Sequence, residues 1–301
     1  VVKTFAWFLQ KTTNIGGAVG VGAAANVFLG MIESTLFIRP YLKEMSRSEL
    51  FITITCGMAG IAGTVMVLYA NILQRVVPDV MGHLLTASII SIPAAIMISQ
   101  IMIPETGRTT SGEMMKPQLA ANSMDALTKG TLEGIHLLIN IISMLIVLIA
   151  FVYLANKALS LLPDLGNRPI TLQRMLGYLM SSVVWLMGIP WKEAFTAGSL
   201  MGTKTILNEF IAYIDLAKLP DGVLSPRSKM ITTYALCGFA NFGSVGIMIG
   251  GVGSMIPERR DEVVSLGMKS LVAGTLSTCT TGALVGIVCN FVTIQRKYFR
   301  I

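Results

Sequence analysis

The sequence predicts an all-α membrane protein: an inverted repeat of interfacial helix, re-entrant hairpin and broken transmembrane helix, with a long scaffold helix. Three observations predict it. First, 53% of the residues are hydrophobic and only 13% are charged, against about 25% charged in soluble domains. The apolar residues come in long runs rather than in alternation, so helices, not a barrel, satisfy the backbone in lipid. Second, two half-apolar stretches each carry an acidic residue. Residues 25–38, ANVFLGMIESTLFI, hold Asn26 and Glu33, and residues 201–213, MGTKTILNEFIAY, hold Asn208 and Glu209. An intramembrane carboxylate costs about 2.5–3.5 kcal/mol on insertion scales, so it faces a wet cavity, a partner or a substrate. Third, the elements around those two stretches recur in the same order.

Residues 1–13, with Trp7, Lys3 and Lys11, are amphipathic and read as a helix lying in the membrane interface. Residues 14–31 are too short and too small-sided (Gly16, Gly17, Gly20, Gly22) to span against lipid. They suit a half-helix packed closely on its neighbours. Residues 32–41 return, which makes a re-entrant hairpin with Glu33 near its tip, ended by Pro40. Ser46-Arg47-Ser48-Glu49 is a capping box before an apolar run. The span over 50–72 then carries Gly57, Gly60 and Gly63, either a packing seam or an unwound turn that frees carbonyls for an ion.

A second span follows at 83–104 with Pro93 inside, then a polar loop at 105–130, then the longest apolar run at 132–162, read as scaffold. The first pattern now returns. Residues 171–188 form an amphipathic helix with a Trp, 193–202 and 203–213 the two arms of a hairpin carrying Glu209, and 215–229 a polar connection. The span over 230–255 is broken at CGFANFGS, and 265–292 is the last span. Glu33 matches Glu209, Arg47-Ser48 matches Arg227-Ser228, and Cys56-Gly57-Met58-Ala59 matches Cys237-Gly238-Phe239-Ala240. The chain divides into a first repeat at 1–105, a loop at 106–130, a scaffold span at 131–163 and a second repeat at 164–301. If the intervening spans all cross, the second hairpin enters from the opposite face. That is the inverted architecture of alternating-access transporters.

The net charge of +7 fits basic loops at lipid headgroups rather than a nucleic-acid surface. Cys56, Cys237, Cys279 and Cys289 lie in apolar segments without metal or disulfide spacing, and His83 and His136 are isolated at helix ends. An intramembrane enzyme is the rival from another class, but no HExxH, GxSxG or Cys/His pair appears. A channel is the other rival; the unlike halves with one Glu each favour an occluded small-molecule site.

At GTKTILNEFIAY and YALCGFANFGSVGI the chain resembles the concentrative nucleoside transporter family, over essentially its whole length. In that family three further spans precede the first interfacial helix, so the resemblance implies the distal part of a longer protein. It implies ion-coupled nucleoside uptake by a homotrimer, multi-pass in the lipid bilayer, and a bacterial inner membrane is expected. Glu209, Asn241 and Ser244 resemble the ribose-binding set, with Phe239 beside the nucleoside. Gly30, Met31, Ile32, Glu33, Thr64 and Val65 resemble the base-binding wall. Asn26, Leu29, Gly60 and Ile61 fall where members bind Na+. Two departures matter. Many members carry Gln-Thr-Glu where this chain has Met31-Ile32-Glu33, which makes the wall apolar and leans the expectation towards purine nucleosides. Gly60 stands for a serine, and that removes one of the oxygen ligands a hard cation needs. A proton is therefore the alternative coupling ion, and a pyrimidine or broad nucleoside permease the alternative specificity.

Overall fold

In a computed structural model, which describes residues 2–13, 15–107, 109–110, 122–164 and 169–299, the described residues are helical with no strand. The first unit is α1 (Val2–Thr13), the hairpin α2 (Gly17–Asn26) and α3 (Met31–Phe37), the broken span α4 (Arg47–Ala59) and α5 (Gly63–Leu73), and the span α6 (Val80–Met102). Helix α7 (Ser123–Leu159) follows. The second unit is α8 (Leu172–Leu186), the hairpin α9 (Trp191–Ile206) and α10 (Glu209–Lys218), the broken span α11 (Pro226–Leu236) and α12 (Phe242–Met255), and the span α13 (Arg260–Phe299). The element order expected from the sequence therefore recurs.

Local chemistry explains each boundary. The capping box is formed: Glu49 N donates to Ser46 Oγ at 3.0 Å and Ser46 N donates to Glu49 Oε2 at 3.0 Å. Gly60, extended at φ −107° and ψ 178°, ends α4. Asn208, Ser225 and Asn241 cap α10, α11 and α12, each accepting a backbone N–H with its own side-chain oxygen. The small residues of α2 let the hairpin close: a Cβ on Gly22 would sit 2.6 Å from Ile38 Cδ1. Helices α8 and α9 meet on a similar seam, where a Cβ on Gly198 would lie 2.7 Å from Gly177 O and one on Gly202 2.5 Å from Gln173 O. Only glycine allows backbones this close.

Three boundaries differ from the expectation. Helix α7 starts at Ser123, capped by Asn122, inside the stretch expected to be a loop; Asn-x-x-Asp is a cap signal as good as the one at Ser46. The second hairpin turns at Leu207-Asn208, not at Gly202-Thr203, because Asn208 caps α10 whereas Gly202 is needed inside α9 for the seam with α8. The span expected over residues 230–255 is the third difference. Of these residues only α12 is apolar enough to count towards crossing, while α11 carries Lys229, Thr232 and Thr233 and lies among other helices. Among the described residues, four stretches are long and apolar enough to cross a membrane: Arg47–Leu73 across its break, Val80–Met102, Ile142–Leu159 and Pro257–Cys289.

The packing is crossed. Arm α2 lies on α4 and arm α9 on α11, each within its own unit, whereas the returning arms also reach the other unit: α3 packs on both α4 and α12, and α10 on both α11 and α5. Helix α13 runs behind α4, α6, α11 and α12. Two apolar cores result. One joins the first hairpin to α4, α12 and α13, and the other joins α5 to α8–α11. Phe239 packs against both.

Candidate functional site

The two breaks touch. Phe239 N donates to Gly60 O at 3.1 Å, and Gly238 is held so near α4 that a Cβ there would lie 2.9 Å from Ala59 O. Backbone leaves the helical path here because each break is followed by a new helix start. Ala62 precedes α5 and Asn241 precedes α12, both extended. The returning arms α3 and α10 also start beside these breaks, behind Gly30 and Asn208. The first hairpin's turn docks on the first break through Gly63 N, which donates to Phe28 O at 3.1 Å.

Glu209 is the centre. It is the first residue of α10 and only 4% exposed. Tyr69 Oη donates to one carboxylate oxygen at 2.6 Å and Asn241 Nδ2 to the other at 3.0 Å. Asn241 does two jobs, since its Oδ1 also accepts from Ser244 N at 2.8 Å and caps α12. The carboxylate thus joins α5 of the first unit to α10 and α12 of the second. It lies at two helix N-termini, where partial positive charge favours an anion. Tyr69 is held by ring contacts with Tyr213 (centroids 5.0 Å apart) and Phe210 (6.4 Å). Two carboxylate oxygens offer about four acceptor sites, so two remain for hydroxyl groups of a polyol.

The residues expected to bind ribose, ion and base fall in three groups. Glu209, Asn241, Ser244 and Phe239 meet at the breaks. Asn26 and Gly60 also meet, since a Cβ on Gly60 would lie 2.8 Å from Asn26 Nδ2; the neighbouring Leu29 is exposed and Ile61 buried. Asn26 Nδ2 donates to Cys56 O at 2.6 Å and its Oδ1 accepts from Ser34 Oγ at 3.1 Å, so both ends of that amide are engaged. Met31 is buried against Gly57 of α4, and Ile32 against Gly251 of α12. Glu33 is exposed and folds back over Gly30, and Thr64 is exposed with Val65 half-buried. Met31 and Ile32 turn inwards because α3 must bury an apolar face on α4 and α12.

Two residues of this region escape a reading of the sequence. Tyr69, in the apolar run VMVLYANIL, has no pattern to distinguish it from core. Lys204 does carry a signal: a lysine inside the half-apolar GTKTILNEF. Its Nζ donates to Ala235 O at 2.8 Å and to Thr278 Oγ1 at 3.0 Å.

Comparison with known proteins now bears on this geometry. Residues 83–286 match the family described as "Na+ dependent nucleoside transporter C-terminus". The uncharacterized transporter YutK of Bacillus subtilis is 37% identical over 284 residues, covering 93% of this chain and 69% of YutK. Nucleoside permease NupC of Helicobacter pylori is 35% identical, covering 93% of this chain and 67% of NupC. Among solved structures, CNTnw in an inward-facing substrate-bound state superposes with a TM-score of 0.77 at 36% identity, covering 95% of this chain and 68% of that one. A CNTnw variant in an outward-facing state gives 0.84 at 34% identity, covering 96% and 69%. These relatives are described as transporters or permeases, none as an enzyme. Helical fold, crossed breaks and a match over two thirds of the chain agree: the chain belongs to the Na+-dependent nucleoside transporter family, and corresponds to that family's C-terminal region.

Proposed function

We propose that the protein carries nucleosides across a membrane by alternating access, coupled to a cation. The observation that supports this most is the Glu209 carboxylate, buried where two broken helices and a hairpin meet and still holding free acceptor sites. A ribose diol needs such acceptors. Asn241 and Ser244 flank it, and Phe239, at the junction of the two cores, stands ready to pack on the base. Alternating access is supported by likeness to CNTnw in both inward- and outward-facing states. The crossed packing suits two units of opposite orientation. Gly30, Met31, Ile32, Glu33, Thr64 and Val65 are the base-side residues on this reading, which requires the first hairpin to rearrange when substrate binds. The apolar side chains of Met31 and Ile32 lean the specificity towards purine nucleosides.

Na+ is the coupling ion we favour, held by Asn26, Leu29, Gly60 and Ile61, partly through carbonyls freed where α2 and α4 end. A second reading, proton coupling, is favoured by one observation: Asn26 is already bonded at both ends and Gly60 brings no hydroxyl. The assembly is a homotrimer in an inner membrane. The largely exposed apolar surface of α7 supports burial against lipid or a neighbouring copy.

The test is uptake into proteoliposomes with sodium and pH varied independently, in wild type and Glu209→Gln. The Gln variant stays folded, because Tyr69 can turn its hydroxyl from donor to acceptor and Asn241 still finds the amide oxygen. Loss of the charge weakens nucleoside binding about ten- to a hundredfold, from the 1.5–3 kcal/mol of a hydrogen bond to a charged group. Wild-type affinity in Glu209→Gln removes Glu209 from the site. Uptake that follows pH and ignores sodium replaces the sodium reading by the proton one.

A further inference from the structure

Lys204 has none of its surface exposed. A buried ammonium is costly unless it is compensated. Both of its partners, Ala235 O and Thr278 Oγ1, are neutral. Nothing in the binding of a nucleoside by Glu209 and Asn241 calls for a cation at this place, so its presence needs another reason.

The reason lies in comparing the two units. Asn26 is the last residue of α2, and Lys204 lies in the last turn of α9. Each reaches from the end of its hairpin's first arm to the end of the first half of its own broken span. Asn26 donates to Cys56 O in α4, which ends at Ala59, and Lys204 donates to Ala235 O in α11, which ends at Leu236. At each place two helix C-termini converge, those of α2 and α4 in one unit and of α9 and α11 in the other. A helix C-terminus carries about half a negative charge and carbonyls without intrahelical partners. Both junctions are therefore built for a cation. The first has no basic side chain, and the second has Lys204.

We propose that Lys204 is a tethered cation: its ammonium takes in the second unit the position that the exchangeable coupling cation takes in the first. The transporter then moves one ion for two equivalent junctions, because the other charge is covalently fixed. This inference rests on the cation-coupled reading above.

Two variants test it on detergent-purified protein, with adenosine binding measured by calorimetry at several sodium concentrations. Lys204→Met keeps length and removes charge; Lys204→Asn leaves room and an oxygen ligand. Lys204→Met is expected to lose about tenfold or more in adenosine affinity, because two converging helix C-termini are left without a cation and the hairpin that carries Glu209 loses its tie to α11, in protein that still unfolds cooperatively. Lys204→Asn is expected to regain affinity as sodium rises, with one more sodium bound per nucleoside than in wild type. Adenosine affinity within twofold of wild type in Lys204→Met overturns the proposal, as does an unchanged sodium number in a folded Lys204→Asn. If Lys204→Asn does not fold, Lys204→Met decides alone. The wild-type titration judges the coupling reading separately. If wild type ignores sodium, the sodium form of that reading fails, and a sodium dependence newly acquired by Lys204→Asn still supports, or its lack overturns, the present one.

Discussion

Replacing Tyr69 by Phe removes one hydroxyl and leaves the ring and its tilted contacts with Tyr213 and Phe210 in place. The hydroxyl donates at 2.6 Å to a carboxylate that is 4% exposed. Interhelical hydrogen bonds between neutral groups in membrane proteins average only about 0.6 kcal/mol in double-mutant cycles. This bond differs because its acceptor is a buried carboxylate rather than a neutral group. Hydrogen bonds to charged groups contribute about 1.5–3 kcal/mol. We expect a coupling energy of about 1 kcal/mol: the charged bond contributes about 1.5 kcal/mol, near the lower end since Asn241 keeps the other carboxylate oxygen satisfied, and Glu209→Gln retains a neutral bond of about 0.6 kcal/mol to the Tyr69 hydroxyl. The assay is a double-mutant cycle of Tyr69→Phe with Glu209→Gln, read as unfolding free energy in detergent without nucleoside. Tyr69→Phe should destabilise the wild-type background more than the Glu209→Gln background by that amount. Equal effects in both backgrounds would refute the argument that Tyr69 supports the carboxylate, whatever the single mutant costs.

Four further outcomes follow from the same structure. Gly198→Val should fail to fold or melt well below wild type, because even its Cβ would fall 2.6 Å from Ser181 N and 2.7 Å from Gly177 O; overpacking of this kind costs about 1–3 kcal/mol or more, and a thermal melt checks it. Gly60→Ser supplies the missing oxygen but puts Cβ 2.8 Å from Asn26 Nδ2, so it should lower the sodium concentration for half-maximal uptake only by moving Asn26 off Cys56; an unchanged sodium curve would speak against the ion site. Met31→Gln should shift competition against labelled adenosine uptake towards uridine, at a stability cost of about 1–3 kcal/mol for the amide it buries beside Gly57. In wild type, unlabelled inosine should compete better than cytidine; the reverse order would end the purine reading.

Much of this architecture was legible in the residues. Long apolar runs, the small-residue arms at 14–31 and 193–202, the capping box at Ser46 and the repeated CGMA and CGFA tetrads all act locally. They specify helices, breaks and their order whatever surrounds them. Glu209 announced itself because a carboxylate in an apolar run is costly and needs a reason. Asn241 and Ser244 stood together in a second short motif, GFANFGS, further along the chain. Tertiary structure alone decided which arm packs on which half-span, and so that Tyr69, far along the chain in α5, completes the environment of Glu209. It alone set Met31 and Ile32 against the glycines of α4 and α12, since their apolar character fits a substrate wall and a helix interface alike. The hairpin turn at Asn208 was also decided there. Asn is a strong cap, but Gly202 offered a competing break, and only the close approach of α8 requires Gly202 inside a helix. Local propensity is written residue by residue, whereas the choice between two permitted faces depends on what the rest of the chain brings alongside.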